Sequence, residues 1–125
     1  MLRPLLIVGA CAIALTACVQ RTRPPGDIGV CYQVQPQKDG SLKYNKLASA
    51  QPDLEHCAGA LEAMRIKFIN LGGNQLEIMG AYQGNFIFLR REGIFTASSL
   101  EGNQYLALVR TGDGRLAIPG AMPQQ

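Results

Sequence analysis

Apolar positions fall into distinct regimes along the chain. Leu5 to Leu15 is an unbroken run of apolar and small residues. Ile28 to Gln35 alternates, with Ile28, Val30, Tyr32 and Val34 set against Gly29, Cys31, Gln33 and Gln35, the period of two of a strand with one buried face. That register puts Cys31 on the more polar side or near a strand end. Lys38-Asp39-Gly40-Ser41 supplies turn chemistry, and Leu42 to Leu47 returns as the second arm of a hairpin. The period then becomes helical. Leu54, Cys57, Ala58, Leu61, Met64 and Phe68 share one face, while Glu55, Glu62 and Arg65 lie off it. Asp53, after Pro52, is the expected N-cap or first-turn residue, and Glu55 complements the positive end of the helix dipole. Ile66-Lys67-Phe68-Ile69 is β-branched enough either to extend the helix or to begin a strand, and Asn70-Leu71-Gly72-Gly73 ends it in both cases.

Beyond Gly73 one theme recurs: Gly73-Asn74 precedes QLEIMGAY, Gly84-Asn85 precedes FIFLRR, and Gly102-Asn103 precedes QYLALVR. Each Gly-Asn is a turn that feeds a strand, at spacings too irregular for a solenoid or propeller, so the pattern predicts a β-meander. Thr111-Gly112-Asp113-Gly114 turns into a last short strand over Arg115 to Ile118. Phe86 to Leu89 and Tyr105 to Val109 are apolar on both faces, yet one helix covers only one side of a sheet. The other side must be closed by curling into a partial barrel, by the first hairpin, or by another molecule. The expected fold is therefore α+β: a small antiparallel meander of about five or six strands, curled towards a partial barrel, with one packed helix. A face left uncovered is the alternative, and it would suit a protein partner or a second copy of the chain.

The first apolar run is shorter than the ~20 residues that cross a hydrocarbon core, is preceded by Arg3, and is closed off by Gln20, Arg21 and Arg23. It reads as a secretory signal. Its end, Leu15-Thr16-Ala17-Cys18, resembles the lipobox of bacterial lipoproteins. The resemblance covers only this processed segment. It implies removal of residues 1–17, a diacylglycerol on the Cys18 sulfur and an acylated new amine, and with two or more chains attachment to the bilayer is stable. Because Val19 and not aspartate follows the cysteine, the family's best-understood sorting rule implies the outer membrane, with the domain facing the periplasm. An ordinary signal peptide with a coincidental cysteine is the competing reading; Cys11 would leave with the peptide.

Removing residues 1–17 from the 125 leaves 108, enough for one modest domain. The chain divides into a tether over 18–27, a single domain over 28–119 and a frayed tail over 120–125. A formal charge of +3, or about +2 without Arg3, with acidic and basic residues interspersed, argues against nucleic acid. Of the four cysteines, Cys31 and Cys57 remain as an even pair in an exported chain, and they are expected to form a disulfide. A metal site from Cys31, Cys57 and His56 is disfavoured, because adjacent helical side chains point about 100° apart and no further ligand cluster is present. No metal or other cofactor is expected.

Candidate sites on the domain are few. Tyr82, Gln83 and Asn85 form a loop able to present a tyrosine and two amides for recognition. Arg90-Arg91-Glu92-Gly93 is a charged hairpin tip, Asp113-Gly114-Arg115 reads as turn chemistry, and Arg21 and Arg23 could favour an anionic lipid surface. With one histidine, His56, and no GxSxG, HExxH, P-loop or telling carboxylate pair, the chain is not read as an enzyme. The expectation is a non-enzymatic, membrane-anchored envelope lipoprotein that binds another envelope protein as an accessory or assembly factor. Alternatives are an inhibitor that blocks a periplasmic hydrolase through the Tyr82–Asn85 loop, and a small-ligand-binding lipoprotein, which would need a deep pocket.

Overall fold

The computed structural model describes residues 21–73 and 77–120. The proposed signal, Cys18, the Asn74–Leu76 approach to the third strand, and the tail past Gly120 lie outside the described residues. In chain order the elements are β1 (Cys31–Pro36), β2 (Leu42–Ala48), α1 (Leu54–Asn70), β3 (Ile78–Tyr82), β4 (Asn85–Arg90), β5 (Gly93–Ala97), β6 (Tyr105–Arg110) and β7 (Leu116–Ala117). The strands form one antiparallel sheet in the order β2-β1-β3-β4-β5-β6-β7, so the fold is α+β with a meander sheet. Two details differ from expectation. The sheet has seven strands, because β5 pairs in addition to the six read from the chain, and it stays open, with β2 and β7 as its edges.

Turn chemistry sets the hairpins. Gly40, at φ +88°, closes the β1–β2 loop, where Asp39 Oδ1 accepts from Ser41 N–H at 3.0 Å. Between β3 and β4, Gln83 and Gly84 take φ +42° and +82°, the pair of positive dihedrals that matches the twist of a two-residue hairpin. β1 lies antiparallel between β2 and β3, so β2 and β3 run the same way and their connection must return along the sheet. The 17 residues of α1 do this, spanning ~25 Å at 1.5 Å per residue.

Both ends of α1 are capped. Asp53 Oδ1 accepts from His56 N–H at 2.8 Å, as expected of the N-cap. The stretch left open between helix and strand is helical to Asn70. Gly72, at φ +92°, then turns the chain so that Gly73 N–H reaches Phe68 O and Gly72 N–H reaches Ile69 O, each at 3.0 Å. Phe68, expected in the core, is instead 46 % exposed. Its ring covers this terminus and occupies the place where a Cβ on Gly73 would stand.

The main core lies between α1 and the sheet: Cys57, Ala58 and Leu61 pack on Cys31, Ile78, Tyr82, Ile87, Leu89, Ile94 and Leu108. Gly80 makes the close approach possible, since a Cβ there would collide with Leu61 Cδ1 and meet Tyr32 O at 2.9 Å. Cys31 and Cys57 are disulfide-bonded across this layer, with Cα atoms 5.3 Å apart. Cys31 thus faces the helix, fully buried, at the first position of β1, and not the more polar side. Tyr32 and Val34 point to the other face, and Ile28 is not in a strand at all but in a turn, 90 % exposed.

Residues 22–29 are not a free tether but a strap docked across one end of the sheet. Thr22 offers its N–H and hydroxyl to the Glu101 carboxylate at 2.8 and 2.7 Å, and its carbonyl accepts from Leu100 N–H at 2.9 Å. Pro24 is buried, Pro25 O accepts from Gly84 N–H at 3.0 Å, and Asp27 accepts from the Tyr32 hydroxyl at 2.5 Å. Polar composition without apolar period concealed this, because the strap binds through backbone groups, the Thr22 hydroxyl, the Asp27 carboxylate and a single buried proline.

Candidate functional site: the sheet face opposite the helix

The register of the sheet assembles a feature that no single strand displays. Directly paired residues share a face, and the chain of pairs Tyr44↔Val34, Val34↔Met79, Met79↔Phe88, Phe88↔Phe95 and Phe95↔Leu106 runs unbroken from β2 to β6. This apolar row extends roughly 24 Å at ~4.8 Å per strand, on the face that α1 leaves free. At the strapped end the face is closed by a small additional cluster, in which Val34, Ala81 and Phe86 are buried with Tyr32, Tyr44 and Leu100 against them. Towards β6 the cover thins. Phe88 and Phe95 are half-buried, and Leu106 is 45 % exposed.

Aromatic contacts join the row to its neighbours on the same face. Tyr32 and Tyr44 meet edge to face at 6.1 Å between centroids, and Phe86 and Phe88 lie tilted at 42° with centroids 6.3 Å apart. The Arg90 guanidinium lies 5.6 Å from the Phe88 centroid and 5.4 Å from that of Phe95. It therefore caps the row by cation–π contact, with its charge partly engaged. Only Arg91 and Glu92 of the charged tip are freely exposed. The face combines aromatic area, little conformational freedom and an arginine at its margin, a composition suited to protein contact.

The loop Tyr82, Gln83 and Asn85 is placed differently from its reading as a recognition element. Tyr82 is 4 % exposed and its hydroxyl donates to Gln51 O at 2.7 Å, while Gln83 Oε1 accepts from Gly29 N–H at 2.8 Å. Asn85 alone is free at the surface. The loop is a clasp for the strap. His56 is likewise occupied, its Nδ1 lying 2.6 Å from Asp53 Oδ1, and among the described residues no three His, Cys, Asp or Glu side chains converge as a metal cluster would require. Asp113 accepts from Thr111 and from Arg115 N–H within its turn.

One charged cluster was not legible in the chain. Glu62, expected at the surface, is 3 % exposed. Its Oε1 accepts from Arg65 Nη2 at 2.6 Å and Arg110 Nε at 2.9 Å, its Oε2 from Arg65 Nε at 3.1 Å and Arg110 Nη2 at 3.0 Å. Arg110 Nη1 also donates to Arg90 O at 2.5 Å. Burial alone would raise the Glu62 pKa, but the hydrogen bonds and charges of Arg65 and Arg110 prevail and hold it at about 2, below an ordinary 4.5. With both oxygens engaged twice, this carboxylate has no proton-transfer face; it ties α1 to β6 and to the β4–β5 turn. The Glu62–Arg65 spacing of i, i+3 was a signal for half of it, whereas Arg110 is brought in by the fold alone.

A groove of about 420 Å³ runs between α1 and the β6–β7 turn and is lined by Gly59, Ala63, Ile66, Lys67, Asn70, Leu71 and Gly114. It is open and lacks the converging polar groups of a ligand site. Among the described residues no helix is long and apolar enough to cross a membrane. Comparison with protein-family models, with characterised proteins and with solved structures finds no match.

Proposed function

We propose that this chain is a bacterial envelope lipoprotein, acylated at Cys18 and facing the periplasm, whose domain serves as a non-enzymatic accessory that binds another envelope protein through the sheet face opposite the helix. The observation that carries the reading is the cross-strand row Val34, Met79, Phe88, Phe95 and Leu106, apolar across the sheet, buried at Val34, half-buried from Met79 to Phe95 and exposed at Leu106. The commitment of both Glu62 oxygens to Arg65 and Arg110 gives that carboxylate a packing role over a catalytic one. The buried Tyr82 removes the side chain on which a loop-inserting inhibitor would rely.

In-cell crosslinking of the full-length protein, with a photoreactive residue in place of Leu106, tests the reading. A discrete envelope protein captured at Leu106, and not from a control position such as Lys67 on α1, is the expected outcome. Capture should disappear in a Phe95→Lys form. Equal capture from both positions, or none from Leu106 in a properly localised protein, overturns the assignment of this face.

A further inference from the structure

The strap determines how far the domain can stand from an acylated Cys18. Thr22 is already fixed to Glu101 and Leu100, so at most three residues, Val19, Gln20 and Arg21, separate an acylated Cys18 from a docked position. The four Cα–Cα steps from residue 18 to 22 reach ~14 Å when fully extended. That is about twice the depth of a headgroup layer, about 5–8 Å per leaflet, so Thr22 stays within about 9 Å of the outer edge of the headgroups. A tether free to residue 27 would have let the domain tumble; a strap docked at residue 22 does not.

The end of the sheet that carries the strap is also well defined. It gathers the Ser98–Gln104 loop, the Gln83-Gly84 turn, the turn at Ile28-Gly29 and the N-terminus of α1. Its charges are mixed: Arg21 and Arg23 stand among Asp27, Asp53, Glu55 and Glu101, so the end has no net attraction to anionic lipid. What projects from it is Ile28, 90 % exposed, and Tyr105, 65 % exposed, side chains that suit the interfacial zone of a bilayer. Six-residue strands carry the opposite end, with the Arg91-Glu92 turn, ~20 Å farther away.

We infer that the strapped end of the sheet lies against the lipid surface, with Ile28 in the interface and the strands rising from it. This rests on acylation of Cys18 and adds an orientation to it. The short leash sets the orientation, and anionic headgroups contribute no preference. The apolar row crosses the strands at Phe88, ~10 Å above the strapped end. It therefore runs parallel to the bilayer and is presented sideways, to a partner held at or close to the same membrane.

The test uses the full-length protein purified from membranes and reconstituted in phosphatidylethanolamine vesicles, with and without phosphatidylglycerol. Because Cys31 and Cys57 are bonded to each other, a single added thiol at Ile28→Cys or Arg91→Cys accepts a fluorophore selectively in the acylated protein. Lipids carrying a nitroxide near the headgroup report proximity. The expected result is loss of fluorescence at position 28, none at 91, and the same difference in both lipid mixtures. Equal quenching at the two positions, stronger quenching at 91, or a difference that needs phosphatidylglycerol overturns the orientation. A flexible Gly/Ser insert of about ten residues between Arg21 and Thr22 lengthens the leash without touching the strap. It should abolish the difference, and if it does not the leash is not its cause. Incorporation of labelled fatty acid, lost in Cys18→Ser, is read separately: without it the anchor itself fails, whereas acylation with position 28 unquenched defeats only the orientation.

Discussion

Glu62 shows how a single charged residue can be essential to packing. Deprived of Glu62, two guanidiniums near the core lose their counter-charge, and breaking such a cluster costs more than its presence contributes. Glu62→Ala is expected to destabilise the domain by about 3 kcal/mol, read from urea denaturation. The pH dependence follows from the depressed pKa. The unfolded chain binds the proton near 4.5 and the fold only near 2, so this contribution is complete above pH 4.5 and is lost as pH falls towards 2. In Glu62→Gln, stability should lack this component of the acid loss, and comparing its urea midpoints with those of the native chain across that window checks it. Helical periodicity places Glu62 beside Leu61, at the margin of the apolar stripe, but does not reveal whether that margin is covered. Coverage depends on Arg110, contributed by a strand 48 residues away.

Two glycines define the helix as an element, for different reasons. Gly72 ends it with a positive φ and open space around its Cα, so Gly72→Ala is penalised by backbone conformation, about 1 kcal/mol. Gly80 lets α1 sit close on β3, and Gly80→Ala forces Leu61 and the immobile Tyr32 carbonyl apart, at roughly 1–3 kcal/mol. Thermal melts of the two variants should rank Gly80→Ala as the more damaging. Gly72 was readable in the chain, since Asn70-Leu71-Gly72-Gly73 is a helix stop in any context. Gly80, by contrast, resembles any strand glycine until the helix is laid over it. Elements with local causes were legible in this way: the Asp53 cap, the Asp39-Gly40 turn and the Cys57 face. The first strand was misread because alternation assumes one buried face, whereas β1 buries Cys31 under the helix and Val34 on the far side.

For the whole molecule, the disulfide and the strap hold regions that the sheet pairs only locally. The bond between Cys31 and Cys57 closes a 26-residue separation, and the chain-entropy relation puts its removal at about 3.5 kcal/mol. A Cys31→Ala, Cys57→Ala form should lose stability on that scale in urea titrations, matching the native protein under reductant. The apolar row behaves oppositely. Leu106→Glu adds charge where the side chain is already half in solvent, so its melting temperature should stay close to native while crosslinking to a partner is lost. A large drop in melting temperature would mean that the row belongs to the core and is no docking face.

Local chemistry alone determined the helix and its caps, the hairpin turns and the α+β class, because each rests on neighbouring residues, whereas the expected pairing of Cys31 with Cys57 followed from the lipobox resemblance, which sets Cys11 and Cys18 aside. The tertiary structure decided what needs distant partners. Register joined Val34, Met79, Phe88, Phe95 and Leu106 into one surface, and Arg110 turned Glu62 inward. The clasp at Gln83-Gly84 and Glu101 drew a polar, proline-containing segment onto the domain. Backbone hydrogen bonds carry no side-chain signature, and a cross-strand neighbour can lie anywhere in the chain; these contacts exist only once the sheet has formed.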